Sequence, residues 1–166
     1  MLGTATALME RFCERVVVVL SAEDQVDQAC LDCGRAERFY SQRASQGMGY
    51  SLADVAAWLP AHDPLLVMLA DKPFVRACTV QTVQARMTPD TIVVPRWQQQ
   101  GGHPVGFGEN LRHLLLDLEG DAGARGLIRT HPDLVDAVEV EDEAIVVDID
   151  TPEQLRSACQ RFPVAE

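Results

Sequence analysis

Pro64-Leu65-Leu66-Val67-Met68-Leu69-Ala70-Asp71-Lys72-Pro73-Phe74-Val75 is the stretch on which the fold turns. Its apolar run, residues 65–70, shows none of the alternation of a half-exposed strand, and an acidic side chain stands where the run stops. This is the pattern of a strand covered on both faces in a parallel sheet, ending at the border where open α/β sheets place their ligands. Comparable runs occupy residues 16–20, 91–94 (closed by Pro95) and 144–147 (leading into Asp148-Ile149-Asp150). Residues 105–107 and 138–141 are candidate short strands.

Between these runs the spacing becomes helical. Residues 22–30 follow Ser21, residues 52–59 follow Ser51 as a candidate cap, and residues 75–87 fill the interval before the third strand. Within 109–118, Leu111, Leu114, Leu115 and Leu118 share one helical face. Thr151-Pro152-Glu153 sets a cap and a first-turn proline for a last helix through Arg161. Strands alternating with helices predict an α/β fold with a three-layer, mostly parallel sheet, and 166 residues without a linker or repeat predict a single domain spanning 1–166.

A formal net charge of −11 excludes a nucleic-acid backbone as the main partner, because such binding needs a basic surface that releases counterions. No apolar run is long enough to span a bilayer, and the first twelve residues lack a basic leader, so no membrane partner and a cytoplasmic location are expected. Five cysteines lack the paired spacing of a disulfide framework. Cys30-x-x-Cys33 reads as two reduced cysteines, since a second pair to complete a zinc site is missing.

The residues beyond the strand ends are the ones to weigh. Asp71 suits a hard cation, which takes one or two carboxylates beside phosphate oxygens and water; it equally suits a turn before Pro73. Strand periodicity puts Asp148 and Asp150 on one face with Ile149 on the other, and two close carboxylates call for a compensating cation unless Asp150 is only a helix cap. Gly47-Met48-Gly49-Tyr50-Ser51 feeds a helix whose first amides can receive an anion, or is simply a turn. Gly101-Gly102-His103-Pro104 forms a glycine-dense loop in which His103 is a candidate base or phosphate contact. Gly120-Asp121-Ala122-Gly123-Ala124-Arg125 turns into another helix, with Asp121 as its cap and Arg125 placed to clamp a phosphate or to form a surface ion pair.

In this order and spacing the segments resemble the MobA/MocA-like nucleotidyltransferases of molybdenum cofactor biosynthesis. The resemblance implies a sheet of the nucleotide-diphospho-sugar transferase (Rossmann-like) type. It implies transfer of CMP or GMP from CTP or GTP to molybdopterin, with Mg²⁺ as cofactor and a molybdoenzyme or maturation factor as partner. Asp71 and Asp150 would be the catalytic metal ligands, joined by Asp148. Gly49, Ser51, Leu69, Ala70, Gly102, His103, Pro104, Asp121 and Arg125 would line the nucleotide and substrate. The loop at Gly102-His103-Pro104 is closer to the cytidylyl branch.

One feature of that family is not found in the chain. Its members begin with a strand and a loop of the form LAAGxSxRMGxxK that cradles the triphosphate, whereas Lys72 is the only lysine here and residues 1–14 hold no such loop. The N-terminal strand is therefore expected to be missing, leaving a gap in the sheet or forcing its neighbours to pair. Two alternatives to molybdopterin nucleotidyl transfer follow: a non-catalytic descendant that binds a nucleotide, pterin or maturation partner, and a nucleotidyltransferase acting on a sugar phosphate or other small phosphate.

Overall fold

The structure is a computed structural model that describes residues 1–23 and 31–162. Helix α1 (Leu2–Met9) leads to strand β1 (Val17–Ser21), which pairs in parallel with β2 (Glu37–Ser41) in a sheet of two strands. Helix α2 (Met48–Trp58) then crosses to the larger sheet, formed by β3 (Leu65–Val67), β4 (Ile92–Trp97), β5 (Gln100–Gly101), β6 (Val105–Phe107) and β7 (Val135–Glu139). Helices α3 (Ala77–Arg86), α4 (Arg112–Leu116), α5 (Ala124–Thr130) and α6 (Pro152–Arg161) complete the chain. No helix among the described residues is long and apolar enough to cross a membrane.

The apolar run after Pro64 is packed on both faces, as its pattern predicts, but its strand covers only Leu65–Val67 and stands at the edge of the larger sheet, antiparallel to β6. Leu65 and Val67 face one core with Ala56, Ile92, Val105, Phe107, Leu115 and Leu127, while Leu66 and Met68 face the other with Val75, Val80 and Ile145. The sheet thus lies between a layer built from α2, α4 and α5 and a layer built from α1 and α3. Each fully buried side chain, such as Phe107, Ile92 or Leu115, contributes about 1.5–3 kcal/mol by leaving water.

The pairing departs from a mostly parallel sheet. β1–β2 and β4–β7 are parallel, but β3–β6, β4–β5 and β4–β6 are antiparallel. The reason is local: β5 and β6 follow β4 through a tight return at Gln98 and Gln99, both at positive φ, so this part of the chain doubles back without a crossover helix. β1 and β3 share no ladder, so the two sheets meet through α2 instead, where Trp58 packs on Phe39 with centroids 5.2 Å apart.

Several boundaries also differ from expectation. β4 continues through Pro95, whose carbonyl accepts from the Gly102 amide at 2.9 Å; nitrogen and oxygen of a strand residue face the same side, so its missing N–H points to this hairpin and not to β7. Residues 144–147 are not a strand, because the buried Asp142 carboxylate accepts from the Ala144 amide at 3.2 Å and winds Glu143–Val146 into a 3-10 turn. The strand read at 138–141 lies earlier, as β7. Asp142 also accepts from the Arg76 amide and the Thr79 hydroxyl, holding the start of α3. Helix α2 begins earlier than Ser51, at Met48, after a cap at Gly47 whose φ of 133° only glycine adopts readily, so Ser51 lies inside the first turns. Asp121 is not the cap of α5, which starts after Gly123 at φ 53°. β2 was not anticipated, and the helix expected over 22–30, with Cys30 of the cysteine pair, falls largely outside the described residues.

One buried arginine fastens α2 in place. Arg112 donates its Nη1 to Pro60 O at 2.7 Å and its Nη2 to Leu59 O at 2.7 Å, and its Nε reaches Ala56 O at 2.8 Å. The fixed fork of the guanidinium thereby satisfies the carbonyls left open where the helix ends.

Candidate active site

Asp71 stands just beyond β3, and the chain near the C-terminus is drawn against it. The Ile149 amide donates to Asp71 O at 3.2 Å, and the Ile149 side chain is buried, 2% exposed. Asp148 and Asp150, on either side of it, are exposed, which is the alternation read from the sequence. Beyond Asp150 the segment is pinned by the capping box of α6. Gln154 Oε1 accepts from the amides of Asp150 at 2.7 Å and Thr151 at 2.9 Å, while the Thr151 hydroxyl accepts from Gln154 N at 3.2 Å.

Two polar features mark this spot as more than a turn. Asp71 Oδ1 is closed off from solvent and has no hydrogen-bond partner, a costly condition for a carboxylate oxygen and one that a cation relieves. Lys72 runs its side chain through the interior, 5% exposed, and places Nζ 2.5 Å from Asp148 Oδ1. Among the described residues no three His, Cys, Asp or Glu side chains converge on one point, so an ion here would take one or two carboxylates and fill its shell with substrate oxygens and water. That division suits Mg²⁺ or Mn²⁺ travelling with a nucleotide.

His103 borders the same site. The β3–β6 register sets Val67 opposite Val105, which brings the residue two positions earlier to the end of β3. Its Nδ1 lies 3.2 Å from Val67 O, and its own amide donates to Ile145 O at 3.2 Å. Burial lowers its pKa below 6.5; the Val67 carbonyl and Asp71 oppose this, while the charges of Lys72 and Arg125 add to it. A carbonyl can only accept, so the neutral ring carries its proton on Nδ1 and leaves Nε2 as an acceptor. Pro104, next in the chain, is fully buried. Gly102 is a packing glycine, since a Cβ there would lie 2.3 Å from Ile145 O.

Gly49 and Ser51 form a second cluster, with Asp121 nearby. The Gly49 amide donates to Gly120 O at 2.7 Å, and a Cβ at Gly49 would stand 2.6 Å from Glu119 O. This glycine turn is thereby used to seat α2 against the loop before α5, and the amide of Gly49 is already spent. Ser51 N is likewise turned to Gly47 O, at 3.4 Å. Asp121 and Arg125 are exposed, and Arg125 has no ion-pair partner among the described residues. Leu69 is half-buried and Ala70 exposed, with Leu69 O accepting from Lys72 N at 3.4 Å. The structure therefore gathers Asp71, Lys72, His103 and the 148–150 segment. The pairing of Lys72 with Asp148 was not legible in the sequence, where the two are 76 positions apart.

The MobA-like NTP transferase domain family matches residues 1–137 of the chain. The nicotine blue oxidoreductase of Paenarthrobacter nicotinovorans is 31% identical over 153 residues, spanning 86% of this chain and 74% of that protein. Among solved structures, the Rv0371c complex with manganese from Mycobacterium tuberculosis H37Rv aligns with a TM-score of 0.79 at 20% identity, covering 96% of this chain and 85% of that one. A nucleotidyl transferase from Methanothermobacter aligns with a TM-score of 0.78 at 16% identity, covering 96% and 78%. At such identities the structural likeness shows the fold. Asp148 and Asp150 lie past the matched span, so their place in the site rests on the contacts around Ile149.

Proposed function

The chain belongs to the MobA-like NTP transferase domain family, and from that premise we propose that it is a single-domain nucleotidyltransferase. We take it to move CMP, or GMP, from the triphosphate to the phosphate of a molybdopterin-like acceptor in the cytoplasm, releasing pyrophosphate. The observation that carries this reading is the buried, unpartnered Oδ1 of Asp71 at the end of β3, with the 148–150 carboxylates tied beside it.

In this reading Asp71 and Asp150 hold Mg²⁺, and the ion, when bound, neutralises charge on the phosphate under attack. The residues of the chain do the positioning. Asp71 keeps its carboxylate aimed because its own carbonyl is held by Ile149 N. His103 offers Nε2 as an acceptor for a base amine or sugar hydroxyl, and the Gly102–Pro104 loop and the Leu69–Ala70 backbone wall the nucleotide. Arg125, free to swing at the start of α5, clamps a phosphate, while Gly49, Ser51 and Asp121 shape the floor through the α2–loop contact. The test is pyrophosphate release from CTP and from GTP with molybdopterin and Mg²⁺. Release that disappears in Asp71→Asn supports the reading; no release with either nucleotide sinks it.

A second reading, in which this chain is an oxidoreductase on the same scaffold, is supported by the 31% identity to nicotine blue oxidoreductase. Offering nicotine blue with a reduced nicotinamide donor separates the two. Bleaching of the dye without pyrophosphate release selects the second.

A further inference from the structure

Resting on the reading of Asp71 as the anchor of a divalent cation, we infer that Lys72 is a built-in competitor of that cation for Asp148, and a phosphate ligand once Asp148 is released. The only lysine of the chain is neither on the surface nor in a loop tip: its stem is buried and its ammonium emerges at Asp148 Oδ1, one residue from the orphaned oxygen of Asp71. A buried ammonium is tolerated only with an anion beside it. Asp148 supplies that anion, and its 59% exposed side chain is free to swing away.

The exchange follows from charge balance. A bare divalent ion that draws Asp148 into its shell strands Lys72 and meets its repulsion. An ion arriving with a polyphosphate does not, because a phosphate oxygen takes the place of Asp148 on the ammonium. Lys72 therefore discriminates against the free metal and in favour of the metal-nucleotide complex, coupling the two ligands through one salt bridge. Lys72 acts here as a positioning residue through Asp148 until the phosphate arrives.

Binding of Mn²⁺ alone, followed by electron paramagnetic resonance of the free ion, tests this without any turnover. Lys72→Met, which keeps the stem and removes the charge, is expected to tighten Mn²⁺ binding about three- to thirtyfold. Lys72→Arg should leave it near the starting value. Adding Asp148→Asn to Lys72→Met should cancel the gain, since the freed carboxylate is what the ion captures. Thermal unfolding of each variant confirms that it folds. If Mn²⁺ binds and is lost in Asp71→Asn, yet Lys72→Met leaves affinity unchanged or weaker, or the gain persists in the double variant, the competition is wrong. If Mn²⁺ fails to bind, or Asp71→Asn binds it as well as the parent, the metal reading of Asp71 falls, and the competition with it.

Discussion

The Ile149 amide donates to the Asp71 carbonyl across 3.2 Å, so a backbone contact ties the two acidic segments together. Ile149→Ala, which leaves that amide in place but empties the pocket beneath it, is expected to destabilise the protein by about 2–5 kcal/mol, against about 0.5–1.5 for Ile149→Val. Urea unfolding measures both. In the folded fraction, Ile149→Ala should also weaken Mn²⁺ binding, because only the amide tie to Asp71 and the α6 capping box then hold Asp148 and Asp150, without the buried side chain that anchors the segment between them.

Asp71→Asn is expected to lower nucleotidyl transfer at least about a hundredfold while leaving the melting temperature unchanged or raised. The amide removes a buried charge that has no donor, so the usual destabilisation of a core substitution is absent. A variant that loses activity and several degrees of melting temperature together would make Asp71 a structural residue instead.

His103 predicts a pH dependence of stability. Its folded pKa is lowered, chiefly by burial, so between that value and 6.5 the unfolded chain binds more protons than the folded one. Stability therefore falls as pH drops through 6.5 and levels off below the folded pKa. Denaturant midpoints recorded from pH 7.5 to 5 without metal should show this slope, and His103→Asn should flatten it.

Arg112→Lys should fail to rescue the α2 terminus. An ammonium cannot reach three carbonyls in one plane, and carbonyls left without donors in a buried setting cost about 1–3 kcal/mol each. Equilibrium unfolding should place the lysine variant close to Arg112→Met, both at least about 3 kcal/mol below the parent.

The existence of a strand before Asp71, though not its length or its antiparallel edge position, and the alternation at Asp148-Ile149-Asp150 were legible because each is a local pattern: an unbroken apolar run, and a period of two around one buried isoleucine. The last helix was legible for the same reason, since Thr151 and Pro152 mark its start by themselves, while Gln154, which closes the capping box, was not read. What escaped depended on distant partners. Asp142 turns 143–146 away from a strand by bonding the start of α3, sixty-odd positions earlier. β2 has no apolar run, because its first residues, Glu37 and Arg38, face water. The glycines at 47 and 49 looked like an anion cradle, but their missing side chains make room for the backbone of Glu119 and Gly120. Gly49→Ala should accordingly cost about 1–3 kcal/mol, read by urea unfolding, because backbone atoms cannot yield as a flexible side chain would.

The two sheets share no ladder and are joined over α2, which has a consequence for how the molecule opens. A lobe made of β1 and β2, held by five paired positions, has fewer bonds to break than β4, which is laddered on both sides. Hydrogen exchange should therefore resolve two cooperative units, with β1–β2 amides exchanging by partial unfolding and those of Ile92–Val94 only through global unfolding. Nucleotide and metal, if they bridge from the end of β3 toward the first lobe, should slow exchange in β1–β2 first, and so make the weaker foldon a reporter of occupancy.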